Sequence, residues 1–174
     1  MSKAKKEALK ILKNYGDSIP VDIESIVRSE GVLIRKEELE DIVSGMLVIK
    51  NDHAVIGVNS KHHPNRQRFT IAHEFGHYLL HRQLANVFFD ESLVFFRDKE
   101  ASEGKKYQEI EANTFAAELL MPESVLKERI IEQPLDAFDE SDESALVKLA
   151  AELEVSVQAL TIRLTRLGLI TGLV

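Results

Sequence analysis

Cysteine is absent from the 174 residues. That excludes thiol-protease chemistry, cysteinyl zinc sites and disulfide staples, and it fits a reducing cytosol. The N-terminus lacks the apolar stretch of a signal peptide. No window approaches the run of about 20 apolar residues that spans a bilayer. A soluble, cytoplasmic protein without a membrane partner is therefore expected. Positive charge is also scarce: 22 Lys and Arg face 29 Asp and Glu, for a net charge of −7. This argues against broad electrostatic adhesion to nucleic acid. The basic run from Lys3 to Lys13 reads as the solvated face of an amphipathic helix. Internal repeats and low-complexity tracts are missing as well.

What is present is an ordinary globular composition. Hydrophobic residues make up 44% of the chain, enough for a real core in one domain or a domain with a small appendage. Ser2 to Asn14 reads as a helix stopped at Gly16, and Asp22 to Glu30 as a second, with Ile23, Ile26 and Val27 as its apolar stripe. Val32 to Ile34 is a short apolar strand. Met46 to Ile49 and Ala54 to Val58 flank Asn51-Asp52 in a hairpin pattern. Pro64 and Asn65 open a helix that reaches His81. The stretch from Gln83 to Lys106 predicts a long loop with a short helix or strand, either a lid or an excursion pinned by Phe88-Phe89 and Phe95-Phe96. A strong helix follows from Lys106 to Leu120 and stops at Met121-Pro122. Helices over 123–132, 143–152 and 156–167 complete the chain.

The densest chemical signal is His73-Glu74-Phe75-Gly76-His77. Two histidines four apart share one helix face, within reach of a single ion. A glutamate beside the first histidine can take a proton from an attacking water. This HExxH pattern is the signature of zinc metallopeptidases. Two core histidines satisfied by hydrogen bonds would be the plain alternative. The adjacent glutamate and the buried character of the helix favour the metal. Gly76 costs about 1 kcal/mol against alanine in a helix, which makes sense if another segment must come close.

A catalytic zinc takes three protein ligands and leaves one position open. The helix after the loop supplies the third. Glu109, Ala112, Asn113, Ala116 and Leu120 share a face, and the alanines permit close approach. Glu109 is the preferred ligand. Glu111, about 160° around the helix, is the alternative. Asn113 is placed to hydrogen-bond a ligand histidine. His81 lies about 12 Å along the axis from His73 on a straight helix, so it either flanks the site or stands behind a ligand. His53, His62 and His63 lie in turn-like surroundings and read as solvated. Tyr78 and Tyr107 are oxyanion donors only by proximity in sequence.

At these residues the chain resembles the ImmA/IrrE family of metallo-endopeptidases. The resemblance rests on the segment from Ile71 to His81 and, equally, on that from Glu109 to Pro122. A third echo runs through Leu149 to Ser156 and on to Ile170. The match covers most of the chain from about Pro20 onward. It implies a zinc held in the gluzincin manner by His73, His77 and Glu109, with Glu74 as general base. It also implies that the substrate is a helix-turn-helix repressor whose cleavage relieves repression. Relatives often carry an N-terminal DNA-binding domain, for which this chain has no room, so a stand-alone form is expected.

The expected fold is α+β. A small antiparallel sheet packs on zincin-like active-site helices over residues 1–122, and residues 123–174 form a helical C-terminal subdomain of helix-turn-helix character. Two other readings stand beside the peptidase. The C-terminal helices, with Gln158, Arg163 and Arg166, could mark a DNA-binding regulatory module, although the acidic residues from Asp136 to Glu154 oppose phosphate contact. Alternatively, the same fold could displace a repressor without cutting it. The intact Glu74 speaks against that.

Overall fold

Helix α1 (Lys3–Tyr15) forms because Ala4, Ala8, Ile11 and Leu12 recur at helical spacing and are buried together. Ser2 caps it by accepting from the Lys5 N–H, and Gly16 ends it at φ 88°. The structure is a computed structural model and describes residues 1–16, 18–51, 53–85, 87–91, 99–132 and 143–170. Helix α2 (Ile23–Ser29) is capped by Asp22 and buries Ile23, Ile26 and Val27, the stripe expected for it.

Strands β1 (Val32–Glu37), β2 (Val43–Lys50), β3 (His53–Asn59) and β4 (Val87–Glu91) form one sheet in the order β1-β3-β2-β4. The class is α+β as expected, but the sheet is mixed rather than wholly antiparallel. β2 pairs antiparallel with both β3 and β4, while β1 runs parallel to β3. Alternating apolar residues mark a strand without marking its direction. After β1 the chain crosses the end of β3 before entering β2, so β3 is inserted between them. Asn59 holds this crossover. Its buried side-chain amide donates to the carbonyls of Leu39, Glu40 and Val43 at 3.4, 3.2 and 3.0 Å, and its oxygen accepts from the Lys61 N–H at 3.1 Å.

Helix α3 (Pro64–His81) is the centre of the molecule. His63 caps it through Nδ1, and Pro64 occupies its first turn, where no N–H is needed. It is buried without interruption from Thr70 to His77, between the sheet and helix α4 (Lys99–Leu120). α4 begins seven residues before the expected Lys106, with Gly104 inside it. A side chain at Gly104 would meet open space. These first turns carry no apolar stripe to announce a helix. β4 is the short strand anticipated within the Gln83–Lys106 stretch, and Phe88 on it is buried. Phe95 and Phe96, and with them the choice between a lid and a pinned excursion, lie outside the described residues.

Helices α5 (Glu123–Glu132), α6 (Glu143–Glu152) and α7 (Val157–Arg166) follow. Ser156 caps α7 by accepting from Ala159 N–H. Leu153, Leu160 and Leu164 join the same hydrophobic core as Ala4, Leu47, Phe75 and Phe115. An ion pair ties α7 down: the Arg163 guanidinium donates to the Glu118 carboxylate and, through Nε, to the Met121 carbonyl at 3.2 Å. Both side chains are buried, and Lys5 of α1 reaches the other Glu118 oxygen at 3.8 Å. Among the described residues no helix is long and apolar enough to cross a membrane.

Two stability experiments test this packing. Arg163→Ala leaves the Glu118 carboxylate buried without its main cation, and is expected to cost about 3–5 kcal/mol. Replacing both residues by leucine or methionine should restore most of that in urea melts. A single variant as stable as wild type would show that the pair is solvated. Gly45→Ala on β2 would place a Cβ 2.4 Å from Thr70 Cγ2 and 2.9 Å from the Gly57 carbonyl. It should lower the urea midpoint by the equivalent of about 1–3 kcal/mol. An unchanged midpoint would mean that β2 and α3 can separate cheaply.

Candidate metal centre

The site begins with a contact between two helix backbones. A Cβ on Gly76 of α3 would lie 3.1 Å from Phe115 Cδ1 and 3.2 Å from Ala112 Cα on α4. Glycine facing alanine lets the helices approach where any larger pair would hold them apart. Ala112 and Ala116 are fully buried in that seam. Glu109, one turn before Ala112, is thereby brought against His73 and His77, which α3 presents on one face.

The three side chains converge. His73 Nε2 lies 3.1 Å from Glu109 Oε2, His77 Nε2 lies 3.2 Å from Glu109 Oε1, and the two Nε2 atoms are 3.1 Å apart. Ligand atoms around a four-coordinate zinc, with bonds of about 2.0–2.1 Å, are separated by about 3.3 Å. The spacing and the donor set, two imidazoles and a carboxylate, therefore fit such an ion without rearrangement. Among the described residues these three form the one group of histidine and carboxylate donors within reach of a common ion. Both histidines are buried, while the Glu109 side chain is 42% exposed, so the cluster is open on that side.

Electrostatics shift His77 and Glu109 toward their ligand forms. Burial pushes the His77 pKa down, and the neighbouring His73 and His81 lower it further against the opposing pull of Glu109. Burial alone would raise the Glu109 pKa, but hydrogen bonds and charge from His73 and His77 outweigh it and hold it at about 2. Neutral imidazole and ionised carboxylate are the states that bind a metal.

Around this cluster lie further polar and aromatic side chains. Asn113 Oδ1 is 3.1 Å from His73 Nδ1, the contact anticipated from its place on α4. Glu74 is fully buried on α3, and a Cβ on Gly45 of β2 would stand 3.7 Å from its Cγ. Glu111 does not join the three donors. It lies 3.0 Å from His81 Nε2, and His81 Nδ1 is 3.1 Å from His77 Nδ1. Phe88 of β4 stacks on the His77 ring at 4.7 Å, a contact the sequence did not reveal because it depends on how β4 pairs in the sheet. The Tyr78 hydroxyl is engaged by Arg82, and Tyr107 is exposed. His53 and His63 are exposed as anticipated, although His63 also caps α3. A groove of about 750 Å³ opens beside Asn113, between Phe69 of α3, Ala117 and Met121 of the α4 end, and Ala159 and Ile162 of α7.

Comparison with known proteins places the chain in a family. The family described as IrrE N-terminal-like domain, Peptidase_M78, matches residues 27–165. The radiation response metalloprotease IrrE of Deinococcus radiodurans is 38% identical over 117 residues, 66% of this chain and 31% of that protein. The chain thus aligns with about a third of that relative's length. Uncharacterized immunity region protein 2 of Bacillus phage phi105 is 29% identical over 119 residues, 68% of each chain. A Mycobacterium tuberculosis transcriptional regulator shares the fold with a TM-score of 0.67 at 15% identity, over 95% of this chain and 47% of that one. The paired helices with their histidines and glutamate fall inside the matched segment, and this chain belongs to the Peptidase_M78, IrrE N-terminal-like family of metallopeptidases.

Proposed function

We propose that this chain is a zinc-dependent endopeptidase acting in the cytoplasm on a protein substrate, a helix-turn-helix transcriptional repressor, whose cleavage relieves repression. The observation that carries this reading is the convergence of His73, His77 and Glu109 beside the buried Glu74. His73, His77 and Glu109 would hold the zinc. The ion, when bound, supplies a Lewis acid that acidifies water and polarises a carbonyl. Glu74 accepts the proton of the attacking water and returns it to the leaving amine. Asn113 fixes the His73 ring through Nδ1.

The substrate class follows from the family resemblance, and the phi105 relative is named for an immunity region. The groove that starts at Asn113 is large enough to take several side chains of a polypeptide. Arg163, one of the three residues that gave the C-terminal helices a DNA-binding look, is committed to Glu118 and Met121 inside the protein. That leaves a proteolytic reading ahead of a DNA-reading one.

The test is metal analysis joined to a cleavage assay on a repressor encoded beside this protein. Wild type and Glu74→Gln should each carry about one zinc per chain, the count of a single three-ligand catalytic site. The Glu74→Gln rate should fall about 10²–10⁴-fold, the usual contribution of a positioned base. His77→Ala and Glu109→Ala should lose the ion, and a chelator should stop cleavage until zinc is returned. Cleavage by Glu74→Gln at the wild-type rate would sink the general-base assignment. Zinc-loaded wild type that binds the repressor without cutting it would favour displacement.

A further inference from the structure

We infer that His81 and Glu111 are positioning residues that decide which nitrogen of His77 carries its proton, and so present the His77 Nε2 lone pair to a metal. The inference rests on the metal reading given above. A hydrogen bond between two ring nitrogens needs one N–H and one lone pair. A neutral imidazole has one of each.

The order of protons along the chain follows from its outer end. Glu111 offers only acceptors and lies 3.0 Å from His81 Nε2, so that nitrogen carries the hydrogen. In the neutral ring His81 Nδ1 is then a lone pair. It faces His77 Nδ1 at 3.1 Å, which must supply the N–H. His77 has now spent its one hydrogen, and Nε2, 3.2 Å from Glu109 and 3.1 Å from His73 Nε2, is left as a lone pair. The reverse order sets the His81 Nε2 lone pair against the Glu111 carboxylate. It also points the His77 N–H at the place where an ion would sit.

The surroundings support a rigid device. His81 is 3% exposed, Glu111 is mostly covered, and Phe88 stacks on the His77 ring and lies against His81. Glu111 and Asn113 thus do the same work on different histidines. Asn113 acts directly on His73, while Glu111 acts on His77 through one intervening ring. Ligand histidines commonly donate their second N–H to such partners. The distinctive feature is that the acceptor here is itself a histidine, oriented by a carboxylate on the partner helix.

The test uses the zinc-loaded full chain with ¹⁵N-labelled histidine. Long-range proton–nitrogen spectra should show His81 with its hydrogen on Nε2 alone, and a coupling between the two Nδ1 nuclei of His77 and His81 across their hydrogen bond. Zinc affinity, read by chelator competition without any substrate, should fall about 10–100-fold in His81→Ala and Glu111→Ala. Glu111→Gln, whose amide oxygen still accepts from His81, should stay closer to wild type than Glu111→Ala. A His81 hydrogen on Nδ1, or alanine variants that hold zinc as tightly as wild type, would overturn the proposal. The spectra need no variant, so a variant that fails to fold leaves the test standing. Zinc held with the expected tautomers in a protein that cuts nothing would refute the peptidase reading and leave this one intact. A wild type that takes up no zinc would refute both.

Discussion

The close approach of α3 and α4 at Gly76 is the constraint on which the rest depends. The space a Cβ would need there is already taken by Phe115 and by the backbone of Ala112, 3.1 and 3.2 Å away. A larger residue would push the helices apart. Glu109 sits one turn from Ala112, so it would withdraw from His73 and His77 together. A glycine inside a helix is a local liability of about 1 kcal/mol. Here it is offset by the packing of Phe75, Phe115, Ala116 and Leu119 that the approach permits, and it sets the distances in the candidate metal centre.

Placing four polar side chains of α3, His73, Glu74, His77 and His81, in an apolar interior creates a second constraint. Buried polar groups need partners, because the surrounding medium replaces few of the hydrogen bonds that water offered. α4 meets much of that need, with Glu109 facing inward to both histidines, Asn113 holding one of them, and Glu111 holding His81. The low Glu109 pKa comes from its histidine partners against the effect of burial, and the lowered His77 pKa comes chiefly from burial.

The C-terminal helices belong to the same construction. Arg163 is drawn out of solvent to meet Glu118, and Lys5 approaches the same carboxylate from α1. Two distant segments are thus referenced to one residue on α4, the helix that also supplies Glu109. The groove beside Asn113 is lined by residues of α3, the end of α4 and α7. Positioning of the donors and shaping of the groove are therefore not independent, and both pass through α4.

Helical periodicity made much of this legible beforehand. The four-residue spacing of His73 and His77 and the alanines of α4 map onto faces by geometry alone. The same counting separated Glu109 from Glu111 and put Asn113 one turn on. Other features left no local trace. The direction of β1, the crossover held by Asn59, and the stacking of Phe88 on His77 all join segments remote in the chain. The early start of α4 had no apolar stripe to mark it, and Arg163 looked like a surface base until its partner 45 residues away was known. The sequence by itself determined which donors exist and that two of them share a helix face, because helix geometry depends only on neighbours in the chain. Only the tertiary structure decided that Glu109 meets them, that Asn113 reaches His73 from 40 residues away, and that Glu111 is spent on His81. Those distances depend on how closely two helices can pack, and a single missing side chain at Gly76 governs that.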